Sequence, residues 1–299
     1  VPRQLWSGFA HGPIRDIQLS EYEEEPAMPR ALIRATALAL MLGTAAHAGE
    51  VTNPLEPSEM WEMLREDIVG DAEIADGAAL LTLDAPYRAH DAATVPIVLN
   101  QTDLSATIRK ATVVIDENPA PVAAELGFGA AMAPIDFELR VRVNQYSNIR
   151  VIAETDAGLA MTGRFVKASG GCSAPASRDP QVALATMGEM KLRSFLTETA
   201  TPQMSPARRE AQIMVRHPNY SGLQRDQITQ LFIPAHFIDH LEVWQGEDLL
   251  FTMDGGISIS ENPVFRFSYA DNGTPALRVL ATDTDGNRFE QILPKGVGS

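Results

Sequence analysis

Phe137-Glu138-Leu139-Arg140-Val141-Arg142-Val143 is the stretch whose reading decides the fold. Apolar and charged residues alternate without a break. Successive side chains of a strand face opposite sides. The period of two therefore predicts a strand with Phe137, Leu139, Val141 and Val143 in a core and Glu138, Arg140 and Arg142 on a charged outer face. The same alternation resumes after a turn at 144–148, with Ile149, Val151 and Ala153, and residues 161–167 form a further strand.

Upstream, residues 80–83, 95–99 and 108–115 are strand-length apolar segments between turn signals. The stretch from Asn118-Pro119-Ala120-Pro121 to Pro134 is rich in Ala and Gly and reads as irregular. Met60, Trp61, Leu64 and Ile68 recur at helical spacing after Ser58, a suitable N-cap, so a short helix should pack Trp61 on the core. Downstream, Asp179-Pro180 reads as a cap and first helical position, opening a helix over 181–189. Residues 196–209 are rich in Thr, Ser and Pro and read as a link.

A second β block follows, with strand-length segments at 213–215, 237–244, 248–253, 257–260, 265–269, 276–282 and 288–293. Turns are expected at Gly246-Glu247-Asp248 and at Asp283-Thr284-Asp285-Gly286-Asn287. Short strands at regular spacing indicate β-sandwiches. The fold class is all-β: two immunoglobulin-like β-sandwich domains with a short N-terminal helix and a helical or loop linker. The expected organisation is a first sandwich over 49–177, a helix and linker over 178–210, and a second sandwich over 211–299, with the two sandwiches packed on each other.

The N-terminal region reads differently. Met28-Pro29-Arg30-Ala31-Leu32-Ile33-Arg34 is basic, residues 35–43 are mostly apolar, and Ala46-His47-Ala48 has a small-x-small ending. This is the pattern of a secretory signal peptide over 28–48. Its apolar run is too short for a membrane span, which needs about 20 residues. Residues 1–27 read as an over-extended start or vector-derived sequence, expected to be disordered. The first 48 residues hold five acidic and four basic side chains, so 34 of the 39 acidic and 20 of the 24 basic residues belong to the exported part, a net charge near −14. That charge argues against nucleic acid and anionic membranes as partners.

Export makes the chain's single cysteine conspicuous. Cys172 has no second cysteine to pair with, in a compartment where cysteines are normally paired. It lies in Gly170-Gly171-Cys172-Ser173-Ala174-Pro175. Gly170, Gly171 and Pro175 read as the flanking hinge of an accessible thiol, with Lys167 and Arg178 as candidates to lower its pKa. Such a thiol suits a covalent attachment point. A thiol enzyme would need a base, and the candidates are His90, His217, His236 and His240. His236 and His240, four apart, would lie more than about 10 Å apart on a strand, so they are not read as a metal pair, and His217 reads as a loop hydrogen-bonder. Asp283 and Asp285 lack the rest of a calcium loop and read as a turn. Met187, Met190, Met204 and Met214 read as packing residues, not copper ligands. No metal site and no cofactor site is assigned.

Gly170-Gly171-Cys172 at the end of a β block resembles the carrier motif of SoxY, the sulfur-compound-carrying subunit of periplasmic sulfur oxidation. The second block is similar to SoxZ, its β-sandwich partner. The matching residues are Arg216-His217-Pro218, Gly222, Ile233-Pro234-Ala235-His236-Phe237-Ile238, Ser258-Ile259-Ser260-Glu261-Asn262-Pro263 with Phe265 and Phe267, and Asp283-Thr284-Asp285-Gly286. In one chain, this order resembles the fused SoxYZ-like carriers associated with periplasmic quinoprotein dehydrogenases. The resemblance implies a periplasmic carrier, not an enzyme. Cys172 would hold a sulfur-containing or electrophilic intermediate for a partner redox enzyme, a quinoprotein dehydrogenase or a cytochrome. The chain departs from SoxY in continuing for 127 residues past the cysteine, and in having Ser173-Ala174-Pro175 after it. A non-covalent docking module with Cys172 incidental is the other reading.

Overall fold

The computed structural model describes residues 53–176, 180–196 and 208–296. The expected signal peptide, the residues before it and the Asp179 cap lie outside these. Helix α1 (Glu59–Val69) opens the described chain, with the Ser58 hydroxyl accepting from the Trp61 N–H at 3.1 Å. The first block contributes β1 (Ile74–Asp76), β2 (Leu81–Asp84), β3 (Val95–Gln101), β4 (Ile108–Ile115), β5 (Val122–Phe128), β6 (Asp136–Val141), β7 (Ser147–Thr155) and β8 (Gly158–Val166). Helix α2 (Pro180–Ala185) follows. The remaining strands are β9 (Met190–Leu196), β10 (Arg208–Val215), β11 (Ile238–Gln245), β12 (Asp248–Gly255), β13 (Val264–Ala270), β14 (Ala276–Asp283) and β15 (Arg288–Pro294).

These strands form two sheets, and each sheet runs through both blocks. One has the order β1-β8-β7-β4-β5-β12-β11-β14-β15, the other β2-β3-β6-β13-β10-β9. The sandwiches are therefore joined edge to edge. Strand β5 pairs with β12 from Phe128↔Phe251 to Ala124↔Gly255, and β6 meets β13 at Phe137↔Phe267. Pairing removes an edge strand from each block, which would otherwise present unpaired N–H and C=O groups. The space between the sheets is one continuous apolar core. Phe137 sits at its centre: its ring centroid is 4.9 Å from that of Phe251, 5.7 Å from Phe128 and 6.2 Å from Phe265. Edge-to-face contacts of this kind add to the burial energy.

Four expectations require correction. Residues 122–128 form the strand β5, not an irregular stretch; its pairing with β4 shifts register at Val113/Val114, so Ala123 and Ala124 are both buried and the alternation is lost. In the segment expected to be helix and linker, α2 stops at Ala185 and β9 pairs along β10 from Met190↔Val215 to Leu196↔Arg209. Met190 and Leu192 face inward there, alternating with exposed Lys191 and Arg193. Residues 257–260 make a turn with one bridge, Ile259 to Val141. Arg142, read as an outer-face residue, is 1% exposed, because β6 ends at Val141 and the alternation stops with it. Helix α1 does cover the sheet as expected, with Trp61 packed against Val114 and Ile152.

Because one core serves both blocks, Phe137→Ala should destabilise by about 3–5 kcal/mol. Urea unfolding followed by tryptophan fluorescence and by circular dichroism should give one coincident transition for wild type and variant; two separated transitions would contradict the shared core.

Candidate functional site

The cysteine segment lies where the first block runs out of strand. The backbone of Arg142 is held in place: its N–H donates to Ser258 O at 2.7 Å and its carbonyl accepts from Asn118 Nδ2 at 2.7 Å. The Gly170–Cys172 turn lies against the next two residues, with Gly171 N donating to Val143 O at 3.1 Å and Gly170 N to Asn144 O at 2.8 Å. Gly170 has φ +79°, the left-handed region that glycine enters at no steric cost. A side chain at position 171 would place its Cβ 2.1 Å from Ala92 O. Gly170 therefore serves the left-handed turn, and Gly171 a close backbone approach.

Cys172 itself is fully buried, which corrects the expectation of an accessible thiol. A loop of the other block lies across its backbone. In the loop between β10 and β11, the Ser221 hydroxyl donates to the Cys172 carbonyl, and Gln224 Nε2 donates to Ala174 O at 2.8 Å. Arg142 bridges the two segments, with Nη1 on Gly171 O at 3.1 Å and Nη2 on Asn219 O at 3.2 Å. Ser173 and Pro175 are exposed, so the surface begins one residue past the sulfur. The same loop carries exposed Ile228, Leu231 and Phe232 farther out.

Burial pushes the Cys172 thiol up to about 11, and the nearby Arg142 charge opposes that. Burial pulls the Arg142 guanidinium down from its ordinary value, against the attraction of Cys172, Glu261 and Asp91. Lys167, expected to act on the cysteine, lies over the Tyr87 ring at 4.7 Å; Arg178 is outside the described residues.

Residues 65–172 match the family of the sulfur oxidation protein SoxY, and residues 200–293 match that of the sulphur oxidation protein SoxZ. The chain is a fused SoxYZ-like protein. Among solved structures it is similar to the sulfur carrier protein SoxY from Chlorobium limicola f thiosulfatophilum. That match has 22% identity, covers 36% of this chain and 94% of that one, and has a TM-score of 0.31. No curated protein matches.

The SoxZ half brings together three side chains that are far apart in sequence. His217 Nε2 lies 3.3 Å, and His236 Nε2 2.8 Å, from the same oxygen, Oδ2 of Asp283. All three residues are buried. A His₂Asp group of this kind can ligate a metal, but the tautomer decides against it. The Asn219 backbone N–H donates to His217 Nδ1 at 3.0 Å, so Nδ1 must be the acceptor and Nε2 must carry the proton. His217 therefore offers Asp283 an N–H, not a lone pair to an ion. Burial pulls the His217 pKa down, against the hydrogen bond to Asp283. Burial alone would push the Asp283 carboxyl up. Hydrogen bonds from Asn287, His236 and His217 outweigh it and hold the group at about 2.

This network anchors the covering loop at both ends, through His217 and His236. Asn219 ties it to the cysteine: besides bonding His217 and Arg142, its side chain donates to Ser260 O at 3.1 Å and accepts from Ile238 N at 3.1 Å. The His236–His240 pair is not brought together; His240 faces Asp254 and Glu242 at the surface. None of the four candidate bases is committed to the thiol. Three are held by carboxylates and His90 is exposed. Sequence reasoning missed Arg142, Asn219, Ser221 and Gln224, and joined neither His217 nor Asp283 to His236. The available signal was that His217, His236 and Asp283 each lie in a stretch carrying the SoxZ resemblance.

Two outcomes follow from this geometry. Asp283 titrates lower in the folded than in the unfolded protein, so its contribution is complete above about pH 4 and is lost as pH falls through about 2. It amounts to about 2 kcal/mol. Asp283→Asn should lose this at pH 7 and show a flatter stability profile between pH 5 and 2, measured by urea midpoints. Ser221→Ala and Gln224→Ala each remove one bond that closes the loop, worth about 1 kcal/mol. Each should speed iodoacetamide labelling of Cys172 about fivefold at pH 8, read by intact mass; unchanged rates would mean that these bonds do not limit access.

Proposed function

We propose that the protein is a periplasmic thiol carrier in which Cys172 covalently holds a sulfur-containing or electrophilic intermediate and presents it to partner redox enzymes. The observation that carries this reading is positional. The SoxY match ends on Cys172, the only cysteine, and a loop of the SoxZ half bonds to that residue's carbonyl. The hinge residues Gly170 and Gly171 are part of the same reading, as the turn that delivers the cysteine, with Pro175 at the exposed exit.

A carrier needs a nucleophile protected when idle and exposed when loaded. A buried thiol with a raised pKa is the protected form, because the thiolate is the reactive species. Loading then requires the loop over 217–236 to lift. Joining the Cys172 sulfur to a reduced sulfur atom forms an S–S bond and releases the thiol proton and two electrons. A partner redox enzyme, by resemblance a quinoprotein dehydrogenase or a cytochrome, takes the electrons. Export by residues 28–48 completes the reading. No helix of the described residues is long and apolar enough to cross a membrane.

Burial of the thiol favours a second reading, a non-covalent accessory module with Cys172 incidental. Intact mass of the protein purified from its native compartment separates the two. The carrier reading expects an adduct on Cys172, released by reductant and absent from Cys172→Ser. A bare cysteine, together with Cys172→Ser cells that oxidise sulfur compounds like wild type, leaves the accessory module.

A further inference from the structure

Arg142 is a buried cation whose acceptors are neutral. It is 1% exposed, and its two hydrogen bonds end on the backbone carbonyls of Gly171 and Asn219. Its Nε is buried and has no hydrogen-bond partner among the described residues. A buried charge whose hydrogen bonds all end on neutral groups is costly to desolvate. The SoxYZ-like fold nevertheless places this one beside its only thiol, one residue from it through the Gly171 carbonyl. The charged groups that face the pair are Asp91, on the loop carrying Ala92, and Glu261, after the turn at 257–260; both attract Arg142. The covering loop contributes neutral Asn219, Ser221 and Gln224.

We infer that Arg142 is the counter-charge of Cys172, stabilising its thiolate and then any anionic group bonded to that sulfur. The second part rests on the carrier reading; the first does not. A guanidinium suits both duties, since it remains charged when buried and presents five donors, of which the resting state leaves some unengaged. The bond to Asn219 links the two events. Lifting the covering loop takes away that carbonyl and frees a donor of Arg142 at the moment the thiol is exposed.

The test is the pH profile of iodoacetamide alkylation on the full chain, in which the thiolate forms an S–C bond and iodide leaves. Rates are read by intact mass, and the thiolate by its ultraviolet absorbance. An opposite charge at close range shifts a pKa by about 1–3 units. Arg142→Gln should therefore raise the apparent pKa of Cys172 by at least about one unit and slow alkylation about tenfold at fixed pH. Arg142→Lys, which keeps the charge, should stay within about threefold of wild type. Superimposable profiles for wild type and a folded Arg142→Gln overturn the inference. Should Arg142→Gln fail to fold, Arg142→Met, which keeps the apolar stem and removes the charge, takes its place and is read by the same two outcomes. Failure of the carrier reading is visible separately, as the absence of any adduct on the native protein, and leaves these profiles unchanged.

Discussion

The pairing of β5 with β12, and of β6 with β13, is the constraint on which the rest depends. It turns two sandwiches into two shared sheets around one core, with Phe137 in the middle. Edge pairing has a directional consequence that face packing would not. It fixes the register between the blocks residue by residue, and so fixes which second-half loop meets the end of β6. That loop runs from His217 to His236, and what it meets is Arg142 and the cysteine turn.

From there the site is a chain of hydrogen bonds with a definite order. Asp283 binds His217 and His236, His217 positions Asn219, and Asn219 receives Arg142, which holds the carbonyl before Cys172. Ser221 and Gln224 complete the closure on the far side. Every link is buried or nearly so, where an unmade hydrogen bond is costly. The closed state is therefore specific in geometry while each bond remains individually weak enough to break. A tethered carrier, with 127 residues following its cysteine, cannot extend a free tail into a partner.

Legibility in the sequence followed exposure. Strands with one solvent face, such as β6, β10 and β14, announce themselves by alternation. Strand β5 did not, because a bulge against β4 leaves Ala123 and Ala124 both buried and breaks the alternation. Strand β9 was obscured by the Thr, Ser and Pro content that follows it, although Met190-Lys191-Leu192-Arg193 alternates. At the site, the cysteine and its glycines were found, but the burial of the thiol was not legible. Glycine permits both hinge motion and close approach, and only the 2.1 Å clearance at Gly171 distinguishes them.

The amino-acid sequence by itself determined the all-β class, the helix over Trp61, the tandem order of a SoxY-like and a SoxZ-like block, and the singular position of Cys172. These follow from periodicity, capping and motif, which are local properties. The tertiary structure alone decided that the blocks share their sheets, that the thiol is buried where a loop of the other half bonds to its backbone, and that an arginine at the end of an alternating strand turns inward to hold the carbonyl before it. Those depend on residues as far apart as 142 and 219, or 217 and 283, whose meeting is set by strand pairing and leaves no periodic trace in the chain.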